Sequence, residues 1–487
     1  MNKLKLFVEN MLVYGLGGII SKIIPIIMLP IITFLLPGTN FYGLSDMTTT
    51  IISLGSALAV MGMYDAMYRL FFDKKEEEYR KDLCSTTLFF TLCVSLVVAL
   101  LMILLKKPLS LLFFKDVKFS YLIYISAIAT LVGATNSIIS APTRMQNKRK
   151  VFLVTNTVGP VISYAVSIPM ILHGYYIMAL PVAAVSSSVI LELSFAIMNK
   201  KWFSFKRVDL KLIRPLLLIA VPLIPNFLIY WIFNSCDKLM ITNIIGLDAQ
   251  GIYAVSSKLG HISQLIYTAF AGGWQFFAFS TMKEKNQVKN NSLVFEYLGA
   301  ISYVASAFIC VLSPVIFLFF KKEYYEGFIS APYLFLAPLL LMLFQVACNQ
   351  FIVVKKTWPN VFILSSGAVV NVILNYILIP RIGIEGASIA TLCGYILSDI
   401  LVVIVLNKMK LMTVTKRLVL SAFLMAVYFI CWRFLFIQNI VIGMICAVLF
   451  MMCIVFLYRS ELRILINMVK NPPKKGDKEE DNKEEVK

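Results

Sequence analysis

Long apolar runs, each closed by a short polar connection, recur along the whole chain. A bilayer-crossing helix needs about 20 mainly apolar residues, so each run reads as a span. Fourteen spans are expected, over residues 9–36, 41–70, 82–105, 117–141, 150–173, 176–198, 212–245, 249–278, 293–319, 328–354, 360–380, 384–407, 416–436 and 439–458. The first run continues through Pro25 and Pro30 without a small-residue cleavage site, which reads as a retained span and not a signal peptide. The expected fold class is an all-α polytopic membrane protein.

Some of these spans are polar on one side. At about 100° per residue, Asn226, Tyr230, Asn234 and Asp237 share a face of one span. Ser257, His261, Gln264, Thr268 and Gln275 share a face of the next, with Lys258 at its margin. In the first span Asn10, Tyr14, Ser21 and Pro25 lie together with Lys22 beside them, and in the second Asp46, Thr49, Thr50, Ser53 and Tyr64 do so. Ionisable and amide side chains are costly against lipid, so these stripes should face a bundle interior or a watered cavity. Four such helices can wall one chamber. Asp237 has four readings open to it: balancing Lys258 or Lys22, carrying a coupling cation, pairing with its neighbour Lys238, or an interfacial position. Asp65 and Arg69 are spaced for an intrahelical pair. Gln345, Asn349, Gln350, Asn371 and Asn375 supply further amides, for a ligand or for interhelical hydrogen bonds.

Composition narrows the function. The chain has 487 residues, 59% hydrophobic and 15% charged, with a mean hydropathy of +0.83. The loops are too short for a soluble catalytic domain, which argues against a polysaccharide polymerase or glycosyltransferase, and no enzyme activity is expected. The net charge of +19 does not point to nucleic acid, because the basic residues sit in alternate loops. Lys74, Lys75, Arg80 and Lys81 form one cluster, Arg144, Lys148, Arg149 and Lys150 another, and further clusters lie at 200–211, 283–289, 355–356 and 408–417. By the positive-inside rule these loops and both termini are cytoplasmic. The nine cysteines are scattered singly, without a CxxC pair, and read as small core residues. No metal or other cofactor is expected. The charged tail from Lys470 is expected to be disordered.

A weak internal repeat is present. PLSLLFFK at 108–115 matches PVIFLFFK at 314–321, an offset of 206. At an offset of 208, Gly38 and Gly43 overlie Gly246 and Gly251, Gly159 overlies Gly367, and Asn199-Lys200 overlies Asn407-Lys408. The expected domains are two parallel six-helix bundles, 1–208 and 209–415, then two further transmembrane helices at 416–458 and a charged cytoplasmic tail at 459–487. Parallel repeats place a substrate between the halves and work by rocking one against the other.

GLGGIISKIIPIIMLPIIT followed by FYGL, GMYDAMYRLFF, CDKLMITNIIGLDAQGIYAVSSKLG and GIEGASIATLCGYILSDIL together resemble the Wzx-type polysaccharide flippases of the multidrug/oligosaccharidyl-lipid/polysaccharide exporter superfamily. The resemblance runs along essentially the whole chain. It implies two six-helix bundles in a V-shaped arrangement. It also implies translocation of undecaprenyl-diphosphate-linked oligosaccharide across a bacterial cytoplasmic membrane for O-antigen, capsule or exopolysaccharide assembly, alongside polymerase machinery. Lipid II flippases of the same superfamily often carry fourteen helices, and multidrug antiporters of the superfamily need acidic cation sites. For a diphosphate-linked sugar, Lys22 and Lys258 suit the diphosphate, although snorkelling or pairing with a carboxylate also explains them. Gln264, Asn226, Tyr230 and Asn234 suit the sugar, and His261 is either a titrating group or a hydrogen-bonded structural residue. Asp237 and Asp46 are candidates for counter-charge or ion coupling, and the resemblance extends a gating role to Asp65 and Arg69.

Overall fold

The computed structural model describes residues 22–146, 148–266, 286–354, 356, 358–437 and 439–460. The described residues are helical with short connections. The elements are α1 (Lys22–Leu35), α2 (Thr39–Val60), α3 (Met63–Phe71), α4 (Glu77–Leu104), α5 (Lys106–Phe114), α6 (Tyr121–Met145), α7 (Arg149–Leu172), α8 (Tyr176–Asn199), α9 (Ile213–Ala220), α10 (Ile224–Ile244) and α11 (Leu247–Gly260). After them come α12 (Gln287–Phe317), α13 (Ala331–Val353), α14 (Trp358–Lys408), α15 (Lys416–Cys431) and α16 (Ile440–Leu457). Among the described residues ten helices are long and apolar enough to cross a membrane, or eleven with α2 and α3 counted as one bent span. The protein is an all-α polytopic membrane protein. Asn10, Tyr14, Ser21, Thr268, Gln275 and the tail from Lys470 lie outside the described residues.

Two breaks shape the bundle. The second expected span is not one straight helix but bends by 45° between α2 and α3. Met61 and Gly62 there both take left-handed backbone, φ 48 and 77, and a Cβ on Gly62 would stand 2.8 Å from the Ala220 carbonyl oxygen. Glycine permits both the conformation and the close approach of α9. The second break is at Ile382 and Gly383 inside α14, where Gly383 has φ 63. It falls between the two spans expected at 360–380 and 384–407.

Packing gives two compact units. One comprises the chain through Phe295 together with Ser313–Thr413. In it Gly43 of α2 and Gly251 of α11 cross with almost no space between backbones. A Cβ on Gly43 would lie 2.3 Å from the Leu247 carbonyl oxygen, and one on Gly251 would lie 1.9 Å from that of Thr39. Thr39 Oγ1 donates to Asp248 at 2.9 Å beside this crossing. Around it, Leu29, Ile32, Leu36, Tyr42, Ile171, Val255, Phe317 and Tyr324 form one apolar cluster. Lys321 Nζ donates to the carbonyls of Leu36 and Pro37 at 3.2 and 2.8 Å, meeting acceptors that the end of α1 leaves open. At the opposite end of α2, Met63, Met67, Phe71, Ile138, Trp202 and Leu216 form another cluster. The connection at 200–212 is laced to α4: Asp209 N donates to Thr86 Oγ1 at 2.9 Å, Ser204 N to Ser85 Oγ at 3.0 Å, and Arg207 pairs with Glu78.

The other unit comprises Glu296–Leu312 and the chain from Val414. Within it the Arg417 guanidinium lies 3.6 Å from buried Glu296, and the Tyr428 hydroxyl donates to the Ala307 carbonyl at 3.0 Å.

Candidate functional site

A cavity of about 370 Å³ lies inside the first unit, and its lining follows helical spacing. Lys22, Pro25, Ile26 and Leu29 come from α1, Tyr42, Ser45, Asp46 and Thr49 from α2, and Ser163 and Tyr164 from α7. Residues three and four apart share one helix face, so each helix commits a single face to the cavity. Lys258 comes from the last turn of α11, and His261 and Gln264 follow it. Leu29, Ile32 and Tyr42 also belong to the first apolar cluster, which closes the cavity at that end.

Charge is distributed unevenly around it. Asp46 is buried and doubly satisfied: its Oδ2 is 3.0 Å from Lys238 Nζ and accepts from Gln250 Nε2 at 2.9 Å. Asp237 is buried as well, and it accepts from the Tyr253 hydroxyl and from the Lys238 backbone N–H, the latter at 2.8 Å. Neither Lys22 nor Lys258 balances Asp237, and the Lys238 ammonium is turned to Asp46. The reason is reach: Lys238 leaves α10 one position after Asp237 and so points toward α2, while Tyr253 fills the place beside Asp237. Lys22 Nζ donates to Gln264 Oε1 at 2.9 Å. Lys258 exposes its side chain on the cavity wall, with no hydrogen-bond or ion-pair partner among the described residues. His261 Nδ1 lies 2.6 Å from the Ser257 carbonyl and 3.2 Å from its hydroxyl. A carbonyl only accepts, so Nδ1 carries the hydrogen and Nε2 is left for the cavity.

The structure gathers Lys22, Asp46, Lys258, His261 and Gln264, but not the α10 stripe. Asn226, Tyr230 and Asn234 do not line the cavity, and exposed Asn234 donates to the Tyr230 carbonyl at 2.7 Å. α10 instead braces α2 behind the chamber lining: Trp231 Nε1 donates to Ser53 Oγ at 3.1 Å and Lys238 pairs with Asp46. Asp65 and Arg69 sit on α3, beyond the bend. Both are exposed, and no ion pair joins them among the described residues; an exposed pair gains little over hydration. Asn371 donates to Thr391 at 3.1 Å, Asn375 to Asn371 at 3.3 Å, and Gln287 to Gln350 at 2.9 Å. The Asn371–Thr391 bond joins the two arms of α14 across its break, Asn375–Asn371 stays within one arm, and Gln287–Gln350 ties α12 to α13, all outside the cavity lining. Gln250 is a residue that stripe reading overlooks, although it lies seven positions before Ser257 on the same face.

The Asp46–Lys238 pair makes a prediction. Removing one member of a buried ion pair costs about 3–5 kcal/mol, because the other is left uncompensated. Lys238→Met is expected to lower thermal stability in detergent by an amount of that order, and adding Asp46→Asn is expected to restore most of it. Equal destabilisation by the single and the double variant would show that the two side chains are not coupled.

Residues 7–283 match the family described as polysaccharide biosynthesis protein. The chain belongs to that family. Among curated proteins it is 25% identical over 241 residues to an uncharacterized membrane protein of Methanocaldococcus jannaschii, covering 48% of this chain and 47% of that one. A second uncharacterized membrane protein of the same organism is 26% identical over 177 residues, covering 36% and 41%. The chain spans less than half the length of these curated relatives. Solved structures extend the likeness of fold. The lipid II flippase MurJ in an inward closed conformation superposes with a TM-score of 0.69 at 15% identity, over 94% of this chain and 99% of that one. An inward-facing multidrug resistance MATE family transporter of the MOP superfamily gives 0.64 at 14% identity, over 82% and 94%. At these identities what this family member shares with them is the fold.

Proposed function

We propose that this member of the polysaccharide biosynthesis family is a flippase. It carries undecaprenyl-diphosphate-linked oligosaccharide across the cytoplasmic membrane by alternating access, for cell-surface polysaccharide assembly. The observation that carries the reading is Lys258. A lysine exposed on the cavity wall, with no hydrogen-bond or ion-pair partner among the described residues, beside a second lysine bound to an amide, makes a site for an anion. The lining carboxylate, Asp46, is already neutralised by Lys238. The diphosphate would sit at Lys22 and Lys258 in charge-assisted hydrogen bonds, with Gln264 and His261 Nε2 on the same wall toward adjoining hydroxyls. Asp46, with Asp237 behind it, serves as internal counter-charge. In this reading the basic loops and both chain ends face the cytoplasm by the positive-inside rule, and a polymerase is the recipient of the product.

A cation-coupled drug antiporter is the competing reading, since the fold also serves a multidrug transporter. It would need an available carboxylate in the chamber, and the described lining offers none unpaired. The two readings separate in proteoliposomes. The purified protein is expected to move a fluorescent lipid-linked oligosaccharide between leaflets, with a lipophilic cation neither transported nor competing. Transport of the cation alone would overturn the proposal.

A further inference from the structure

The lysine cavity does not end at Ser163 and Tyr164. Those residues and Pro25 also line a second cavity, which continues along α7 past Pro160, Gly159 and Asn156. Thr155, Asn156 and Leu191 in turn line a third, which runs to Asn136, Ser140 and Arg144 at the C-terminal end of α6. Three cavities that share lining residues form one track. Its stretch along α7, from Thr155 to Tyr164, is about 14 Å at 1.5 Å per residue.

The chemistry of the track differs from that of the chamber. Its described walls present amides, hydroxyls, two aromatic rings (Tyr164 and Phe195) and a few apolar side chains, with a single cation, Arg144, at the far end. Two acceptors on it are unmet by the helices themselves. Pro160 has no N–H, so the Asn156 carbonyl loses its i+4 helical donor, and the buried Asn136 Oδ1 has no hydrogen-bond partner among the described residues. Neighbouring groups that are satisfied hold the walls: Ser187 Oγ donates to the Gly159 carbonyl at 2.8 Å, and Thr135 Oγ1 to Glu192 at 2.6 Å. A buried polar atom without a partner costs free energy, and here Asn136 Oδ1 lies along a cavity next to a site that suits a phosphate.

We infer that this α6–α7–α8 track is a glycan subsite: it holds the uncharged, hydroxyl-rich sugars of the substrate while the diphosphate occupies Lys22 and Lys258. Sugar hydroxyls donate to the Asn156 carbonyl and to Asn136 Oδ1 and accept from the Asn156 amide, and Tyr164 gives an apolar face to a ring. The inference rests on the proposed flippase reading and adds to it where the sugar goes.

The test compares two probes, undecaprenyl diphosphate and undecaprenyl diphosphate carrying a tetrasaccharide, bound to the full chain in nanodiscs. Wild-type protein is expected to bind the glycosylated lipid more tightly than the bare one. In Asn136→Leu/Asn156→Leu that advantage is expected to fall by about tenfold or more, for two lost hydrogen bonds, with the bare lipid bound as before. Asn156→Cys gives an independent readout: a membrane-impermeant thiol reagent is expected to label it, and only the glycosylated lipid to protect it. An undiminished glycan advantage in the double variant, or labelling of Asn156→Cys that neither lipid slows, would overturn the subsite alone. Failure of wild-type protein to bind either lipid would overturn the flippase reading and the subsite with it.

Discussion

Gly251→Val is expected to remove the folded, transport-competent protein. The β-carbon of any residue at 251 stands 1.9 Å from the Thr39 carbonyl oxygen and 3.2 Å from the Gly43 nitrogen, and backbone atoms cannot swing aside as a side-chain tip can. α2 and α11 would have to separate by more than an ångström, which breaks the apolar cluster around Tyr42 and Val255 and moves Asp46 from Gln250. Overpacking of this kind costs about 1–3 kcal/mol and sometimes more, and a backbone clash belongs at the upper end. Gly133→Ala is the control, since a Cβ there meets Ser56 Oγ at 3.3 Å and nothing closer. Thermal unfolding in detergent should separate the two variants by several degrees or show no folded Gly251→Val at all. Equal stability would mean that the helices do not cross as described.

Lys22→Met/Lys258→Met is expected to abolish export while leaving the fold intact. Lys258 has no hydrogen-bond or ion-pair partner among the described residues, and Lys22 loses one amide, so stability should change little. Binding should change greatly. Truncating a buried, hydrogen-bonded charge partner typically costs about 2–5 kcal/mol, and every 1.4 kcal/mol is tenfold. Loss of both lysines should therefore weaken the diphosphate lipid by on the order of a hundredfold or more. Complementation of polysaccharide export at matched protein levels checks this, with lipid binding in nanodiscs measured beside it. Normal export by the double variant would remove the cavity from the transport path. Lys22→Arg/Lys258→Arg is expected to recover part of the binding, because guanidinium keeps the charge.

Most helix positions and the broad class were legible in the sequence because apolar length is a strong, local signal. The break at Ile382 and Gly383 was visible as a polar gap between two runs. The bend at Met61 and Gly62 was not, since the apolar pattern passes through it without interruption. Periodicity also brought Lys22, Asp46, Lys258, His261 and Gln264 to faces that do meet. It could not decide who pairs with whom. Asp237 and Lys238 are adjacent in sequence, yet their side chains diverge by about 100°, one to Tyr253 and the other to Asp46. Nor could it separate the two ends of one stripe: Asp237 is in the protein core while Asn234, three residues earlier, is exposed. The α6–α7–α8 track was hidden for a different reason. Its acceptors include a main-chain carbonyl laid bare by Pro160, and a list of side chains does not contain it.

The crossing at Gly43 and Gly251 has the form of an isologous interface, in which residue i meets j and the equivalent of j meets the equivalent of i. Gly43 rests on Leu247 and Gly251 on Thr39, so the residues on the two sides correspond at the spacing of 208 that aligns the two glycine motifs. Because backbone meets backbone, neither side is the lock or the key. A bulkier residue on one side cannot be accommodated by trimming the other, where there is already nothing to trim. The contact is therefore one that sequence change can leave only by moving both helices together.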